Sequence, residues 1–126
     1  AYRRQRQMCI RDRRLCDAHG TKLLFVTAPS PVNHTMQRHN EVQALADALA
    51  VPYLDLNLNT EELGIDWNLD TLDGGDHLNY TGCQKATAYL QRYMQTHYTL
   101  PDRRDDVRYE AWNKQAEEFE KLLPQP

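Results

Sequence analysis

The residues best suited to chemistry lie in one short run, Asp73-Gly74-Gly75-Asp76-His77-Leu78-Asn79-Tyr80-Thr81-Gly82. A histidine among carboxylates is what a general base requires. The acid fixes the ring in one tautomer and stabilises the imidazolium formed when the opposite nitrogen takes a proton. Paired glycines can take positive φ and fold the chain back so that an acid reaches the ring. Adjacent side chains on an extended segment point to opposite sides. This favours Asp73 as the partner of His77 and leaves Asp76 to bond backbone amides at the start of the following helix. A loop that breaks the alternation would make Asp76 the partner instead. Thr81 followed by Gln84 reads as a capping box joining the loop to a helix. The bland alternative is a polar glycine-rich turn with a solvated histidine.

The elements around this run decide between the two. Residues 22–28, Lys-Leu-Leu-Phe-Val-Thr-Ala, form an apolar run that reads as a buried parallel strand, ended by Pro29-Ser30-Pro31. Over residues 35–50, Val42, Leu45, Ala46 and Leu49 recur at i, i+3, i+4 and i+7, the stripe of an amphipathic helix, and Pro52 stops it. Residues 53–57 alternate as a second strand, so the three elements make a βαβ unit with an expected right-handed crossover. A polar loop, residues 58–76, leads to a helix from Thr81 with Cys83, Ala86, Leu90, Tyr93 and Met94 on its buried face. A last helix over residues 105–123 carries acids in its first turn and Val107, Ala111, Trp112, Ala116, Phe119 and Leu123 on one side, with Trp112 and Phe119 read as core. His77 thus follows the last strand at its carboxyl end, the edge where open α/β sheets form sites. That position favours the catalytic reading.

Length and composition narrow the choice further. The 126 residues suit one small domain, and a net charge of −3 argues against a nucleic-acid binder. No apolar run is long enough to cross a membrane, and no signal peptide is visible. Residues 2–18 read as a helix ended by Gly20, with Met8, Leu15 and Cys16 as a thin apolar stripe. Six arginines before residue 15 form the one basic cluster. Residues 8–13, Met-Cys-Ile-Arg-Asp-Arg, also resemble translated sequencing adapter, in which case the chain proper begins near Leu15 and the arginine cluster has no function. Cys9, Cys16 and Cys83 show no CxxC spacing, and the first two are about 10 Å apart by helical rise, too far to bond.

Other constellations are weaker. Asp66, Asn68 and Asp70 match positions one, three and five of a calcium loop, but Thr71 and His77 stand where glycine and glutamate belong. Asp66 and Asp70 are better read as tying down the loop. His34 and His39 are five apart, off the i, i+4 spacing of helical metal pairs, and read as a solvated face. His97 reads as a helix-end residue serving the dipole. Trp67 either stacks on a sugar or anchors its loop.

Three segments carry a family resemblance: residues 23–31, Leu-Leu-Phe-Val-Thr-Ala-Pro-Ser-Pro; residues 53–57, Tyr-Leu-Asp-Leu-Asn; and residues 73–82. Together they resemble the C-terminal part of bacterial SGNH (GDSL-like) hydrolases. Lys85-Ala86-Thr87 and the tail of residues 100–104 with Trp112 extend the likeness over most of the chain after about residue 20. The resemblance implies an α/β chain, the C-terminal βαβα portion of a flavodoxin-like three-layer SGNH hydrolase fold plus a C-terminal helix. On this reading residues 1–126 are a single, partial domain, with a helix over 1–19 and a helical extension over 101–126. It further implies an acyl esterase or O-acyltransferase acting on small-molecule or carbohydrate acyl esters, in an extracytoplasmic or cell-surface setting, with no cofactor and no metal. His77 would be the catalytic base and Asp73 or Asp76 its acid; Asn79 and Thr81 would support the loop and Trp67 the substrate.

Two departures from the family pattern stand out. The family acid lies three residues before the histidine, where this chain has Gly74. The family's serine block is absent, and the one serine, Ser30, sits between two prolines without a GDS or GxSxG context. The chain resembles the last third of such an enzyme, whose N-terminal part would supply the nucleophile. A binding module of carbohydrate or protein that uses the same α/β edge is the alternative from another class. The chain by itself is expected to be inert towards nitrophenyl acetate, since nucleophile and oxyanion donors are both wanting. Turnover that vanishes in Ser30→Ala would overturn that expectation.

Overall fold

The computed structural model describes residues 2–123, and the side chains of residues 7–123. The chain is mixed α/β and mostly helical, in the order α1 (Tyr2–Ala18), β1 (Phe25–Thr27), α2 (Met36–Leu49), β2 (Tyr53–Asp55), α3 (Thr60–Leu63), α4 (Tyr80–His97) and α5 (Glu110–Leu122). Two compact units divide it, residues 1–91 and 92–126.

In the first unit, β1 and β2 pair in parallel, with Phe25 opposite Tyr53, Val26 opposite Leu54 and Thr27 opposite Asp55. Parallel neighbours need a crossover, and α2 supplies it. Thr35, extended at φ −142°, accepts the Arg38 backbone N–H on its hydroxyl and opens α2. Ala50 closes it at φ 50°, its N–H donating to the Ala46 and Asp47 carbonyls, and Pro52 prevents continuation. Leu45, Ala46, Val51, Leu54, Leu56 and Leu63 form the buried core, while Val42 and Leu49 of the expected stripe are half-buried.

Several expectations change here. The apolar run of residues 22–28 suggests a strand buried on both faces, yet Val26 is 41 % exposed beside its buried register partner Leu54. Among the described residues the sheet has two strands, so β1 has a neighbour on one side alone. The second strand stops at Asp55 because its carboxylate accepts the Asn57 backbone N–H at 3.0 Å and bends residues 56–59 into a 3-10 turn. The loop of residues 58–76 contains α3, whose Leu63 joins the core and whose end is Gly64. On α1, Met8 and Leu15 are exposed, and Cys9, Ile10, Arg13 and Cys16 are the half-buried positions among the described side chains. On α4, Cys83 is exposed rather than buried; Ala86, Leu90, Tyr93 and Met94 are half-buried and Gly82 is the buried residue.

The second unit contains the end of α4, a 3-10 turn over Val107–Tyr109 and α5. Asp106 caps that turn by accepting the Arg108 N–H, the Arg103 guanidinium lies 4.8 Å from the Tyr109 ring centroid, and Asn113 donates to the Arg104 carbonyl at 2.7 Å. The apolar face of α5 is not core: Trp112 is 68 % and Phe119 55 % exposed, and Ala111 and Ala116 are exposed too. Periodicity marks a face that can be buried; it does not supply the surface that buries it.

The helix carrying the site loop is fitted to that loop at Gly82. A Cβ there would overlap the Asp70 carbonyl oxygen and come within 3.1 Å of Leu78 Cδ2. Gly to Ala within a helix ordinarily stabilises by about 1 kcal/mol. At Gly82 the steric term is larger, so Gly82→Ala should destabilise by about 1–3 kcal/mol, read as a lower denaturant midpoint at unchanged m-value.

Candidate functional site

Residues 70–79 form a short hairpin. The Asn79 N–H donates to the Asp70 carbonyl, the Leu72 N–H donates to the His77 carbonyl, both at 2.9 Å, and Thr71 bridges Leu78 in antiparallel fashion. Asp73 to Asp76 are left as the turn. Gly74 and Gly75 take φ of 68° and 104°, which an L side chain rarely adopts. Gly75 is buried, and a Cβ there would stand 2.7 Å from Pro31 Cγ. The turn is thus pressed against the segment that follows β1.

The base of the hairpin is held by Asp70, 2 % exposed. Its Oδ2 accepts the Lys85 ammonium at 2.6 Å and the Asp66 N–H at 2.7 Å, and its Oδ1 accepts the Thr81 hydroxyl at 2.8 Å. The Lys85 ammonium, the Asp66 amide and the Thr81 hydroxyl hold the Asp70 carboxyl down to about 2. Asn79 adds a second tie: its amide donates to the Leu69 carbonyl at 2.6 Å, and its carbonyl oxygen accepts the Gly82 N–H at 3.1 Å. The cap of α4 is therefore Asn79, and the expected box of Thr81 with Gln84 is not made. Thr81 bonds Asp70 and Asn79 instead, and Gln84 donates to the Tyr80 hydroxyl at 3.0 Å.

At the tip, Asp73 brackets His77. Its Oδ1 accepts the His77 backbone N–H at 2.7 Å and its Oδ2 lies 2.6 Å from Nδ1 of the ring. Asp76 Oδ2 is 3.6 Å from the same nitrogen, outside hydrogen-bonding distance. Asp76 does not bond the amides opening α4, as the alternation of side chains suggests; its Oδ1 accepts the Asn33 side-chain amide. Among the described residues nothing occupies Nε2 of His77, and the side chain is 69 % exposed. The hydrogen bond and charge of Asp73, with the charge of Asp76, raise the His77 pKa above 6.5; the His77 ring and backbone amide lower that of Asp73 below 3.8. A ring anchored at Nδ1 with Nε2 open to solvent can accept a proton there and return it.

Ser30 is turned inward. Its hydroxyl donates to the Gly75 carbonyl and accepts the Asn33 N–H, both at 3.1 Å, and its own N–H donates to Asn57 Oδ1 at 2.7 Å. A hydroxyl so engaged and 9 % exposed ties the His77 turn to the end of β1. Trp67 is half-buried and its carbonyl accepts the Thr71 hydroxyl at 2.7 Å.

A second constellation is one that residue spacing misplaces. His34 and His39 do not form a solvated face: they converge on Asp55, with His39 Nδ1 2.8 Å and His34 Nε2 3.3 Å from Oδ2. His34 lies in the turn before α2 and His39 in its first turn, so helical spacing does not relate them. Burial pushes the Asp55 carboxyl up, but the Asn57 amide and the His39 ring outweigh it and hold it below 3.8. These residues, with Ser30, Arg38 and Tyr53, line a cavity of 240 Å³. The available signal was a pair of histidines followed by an acid ending a strand, a weak one on its own.

No protein-family model, no curated protein and no solved structure matches the chain.

The Asp73–His77 pair has a definite pH dependence. Stability from the raised His77 pKa is complete below 6.5 and lost as pH rises through the raised value; that from Asp73 is present above 3.8 and lost as pH falls through the lowered one. Salt should weaken both, because the side chains are 69 % and 47 % exposed. An NMR titration of the His77 ring is expected to give a pKa above the ordinary histidine value that returns towards it in Asp73→Asn.

Proposed function

We propose that this chain is the acid/base portion of an SGNH-type acyl esterase or O-acyltransferase. The observation that carries the reading is the His77 ring held at Nδ1 by Asp73, with Nε2 open to solvent at the tip of a hairpin anchored by Asp70. The placement of the turn after the carboxyl end of a parallel strand supports it, as does the likeness of residues 73–82 to the histidine block of that family. The parallel βαβ unit is compatible with part of a flavodoxin-like three-layer fold.

In this mechanism the serine comes from the part of the protein that precedes these residues. His77 Nε2 takes the serine hydroxyl proton as Oγ attacks the ester carbonyl carbon, and Asp73 stabilises the imidazolium. The proton then passes to the oxygen of the departing alcohol as its bond to the acyl carbon breaks, leaving an acyl-serine. Water in an esterase, or a sugar hydroxyl in a transferase, attacks that acyl group while losing its proton to Nε2. The bond from the acyl carbon to Oγ then breaks, and Nε2 returns the proton to Oγ, regenerating the serine. Since the neutral ring is the base, the raised pKa of His77 moves the rise of activity to higher pH. Asn79 and Thr81 act through Asp70 and the α4 cap to fix the hairpin. Trp67, on the segment leading into it, is assigned to the carbohydrate side of the substrate.

In the protein containing the serine, Asp73→Asn should lower kcat/KM on the order of 10⁴-fold. Asp76→Asn should cost less than about tenfold, because Asp76 does not bond the ring and an asparagine carbonyl there can still accept the Asn33 amide. Initial rates on acetylated sugars check this. Equal losses in the two variants would overturn the assignment of Asp73, and saturable sugar binding without turnover would favour the binding module.

A further inference from the structure

The cluster at the end of β2 has the composition and spacing of a metal centre. Asp55 is buried, its side chain 1 % exposed, and its two oxygens are differently used. Oδ1 accepts the Asn57 backbone N–H at 3.0 Å and the Asn57 side-chain amide at 2.8 Å. Oδ2 faces the two imidazoles, at 2.8 Å from His39 Nδ1 and 3.3 Å from His34 Nε2. All three ligand atoms lie within 4.8 Å of one another. Ligands 2.0–2.1 Å from a tetrahedral zinc stand about 3.3 Å apart, which is the His34–Asp55 separation. The His39–Asp55 separation is a hydrogen bond, and it needs to open by about 0.5 Å to admit an ion at that spacing.

Hydrogen bonding does not account for the whole arrangement. Nε2 of His34 is buried and, among the described residues, has no hydrogen-bond partner; its approach to Asp55 is not aligned as a bond. Buried polar atoms are nearly always satisfied, and an ion is one of the partners that can satisfy them. The surroundings also resemble the outer shell of a metal site. Asn57 fixes the carboxylate through its other oxygen, and such outer partners orient ligands. The adjoining 240 Å³ cavity leaves room for a fourth ligand.

We propose that His34, His39 and Asp55 bind a divalent transition-metal ion, zinc by its donor set. Two imidazoles and one carboxylate suit zinc, whereas calcium and magnesium take oxygen ligands. The ion takes the place of the proton between His39 Nδ1 and Asp55, the ring proton moving to Nε2 of His39. With two neutral imidazoles and one carboxylate the site carries a net charge of +1, so its open position accepts water or an anionic group. The ion clamps the turn that carries Ser30 and Asn33, the residues bonded to the His77 loop, onto β2. This site is independent of the acyl-transfer reading.

Untagged full-length protein, stripped with chelator and titrated with zinc chloride by calorimetry, is the test, with cobalt(II) absorption reporting the coordination. One equivalent of zinc is expected, with visible bands of low-coordinate cobalt, and affinity falling at least tenfold in both His34→Ala and His39→Ala. His77→Ala and Asp73→Asn should bind as the parent does. His34 lies in a turn, so its variant should keep the parent circular dichroism; that spectrum separates lost binding from lost folding. No zinc uptake by folded protein, uptake that persists in His34→Ala through the cysteines, or uptake abolished by His77→Ala would each overturn the proposal.

Discussion

The arrangement of the site loop rests on one buried carboxylate. Asp70 is removed from water in a chain whose core is small, and a buried unpaired charge would be severely destabilising. Its partners, the Lys85 ammonium, the Asp66 amide and the Thr81 hydroxyl, come from both sides of the hairpin. Satisfying the charge therefore closes the hairpin and seats it on α4 together. Gly82 belongs to the same fit, because the Asp70 backbone occupies the volume where a side chain would be. Everything distal to Asp70, including the turn of Asp73 to Asp76, inherits its placement from this contact.

Interactions at the tip are of a different kind. The Asp73–His77 pair is exposed to water and salt, so its attraction adds little to stability. What it supplies is orientation: two hydrogen bonds accepted by one carboxylate, from the ring and from the backbone amide of the same residue, leave the imidazole few alternatives. A base needs that restriction more than it needs a strong bond. The tip is also tied to the end of β1, through Ser30 to the Gly75 carbonyl and Asn33 to Asp76. The turn after β1 thus stands between the His77 loop and the His34–His39–Asp55 cluster, and both lie beyond the carboxyl ends of the two strands.

Much of the first unit was legible from local pattern. The i, i+3, i+4, i+7 stripe located α2 to within a residue at each end, with Thr35 and Pro52 as its limits. The β1–α2–β2 order implied parallel pairing, because strands joined by a helix run the same way. Proximity of Asp73 to His77 was also legible, since only three residues, two of them glycines, lie between them and leave few ways to separate the groups. Strand burial and the face of α5 were misread for a common reason. A pattern states which side chains suit an interior, and Val26, Trp112 and Phe119 show that suitability is not coverage.

By itself, then, the sequence determined what depends on neighbours along the chain: the ends of α2, the strand–helix–strand unit, the glycine turn and the acid beside its histidine. Tertiary structure alone decided what depends on distant segments meeting. Asp55 reaches His39 across sixteen positions because β2 pairs beside β1 and α2 returns over it, a geometry no spacing rule contains. The same holds for Asp70, whose carboxylate is matched by an ammonium fifteen positions on. Local torsions are set by local residues, whereas burial and charge pairing belong to surfaces that exist only after the chain has folded.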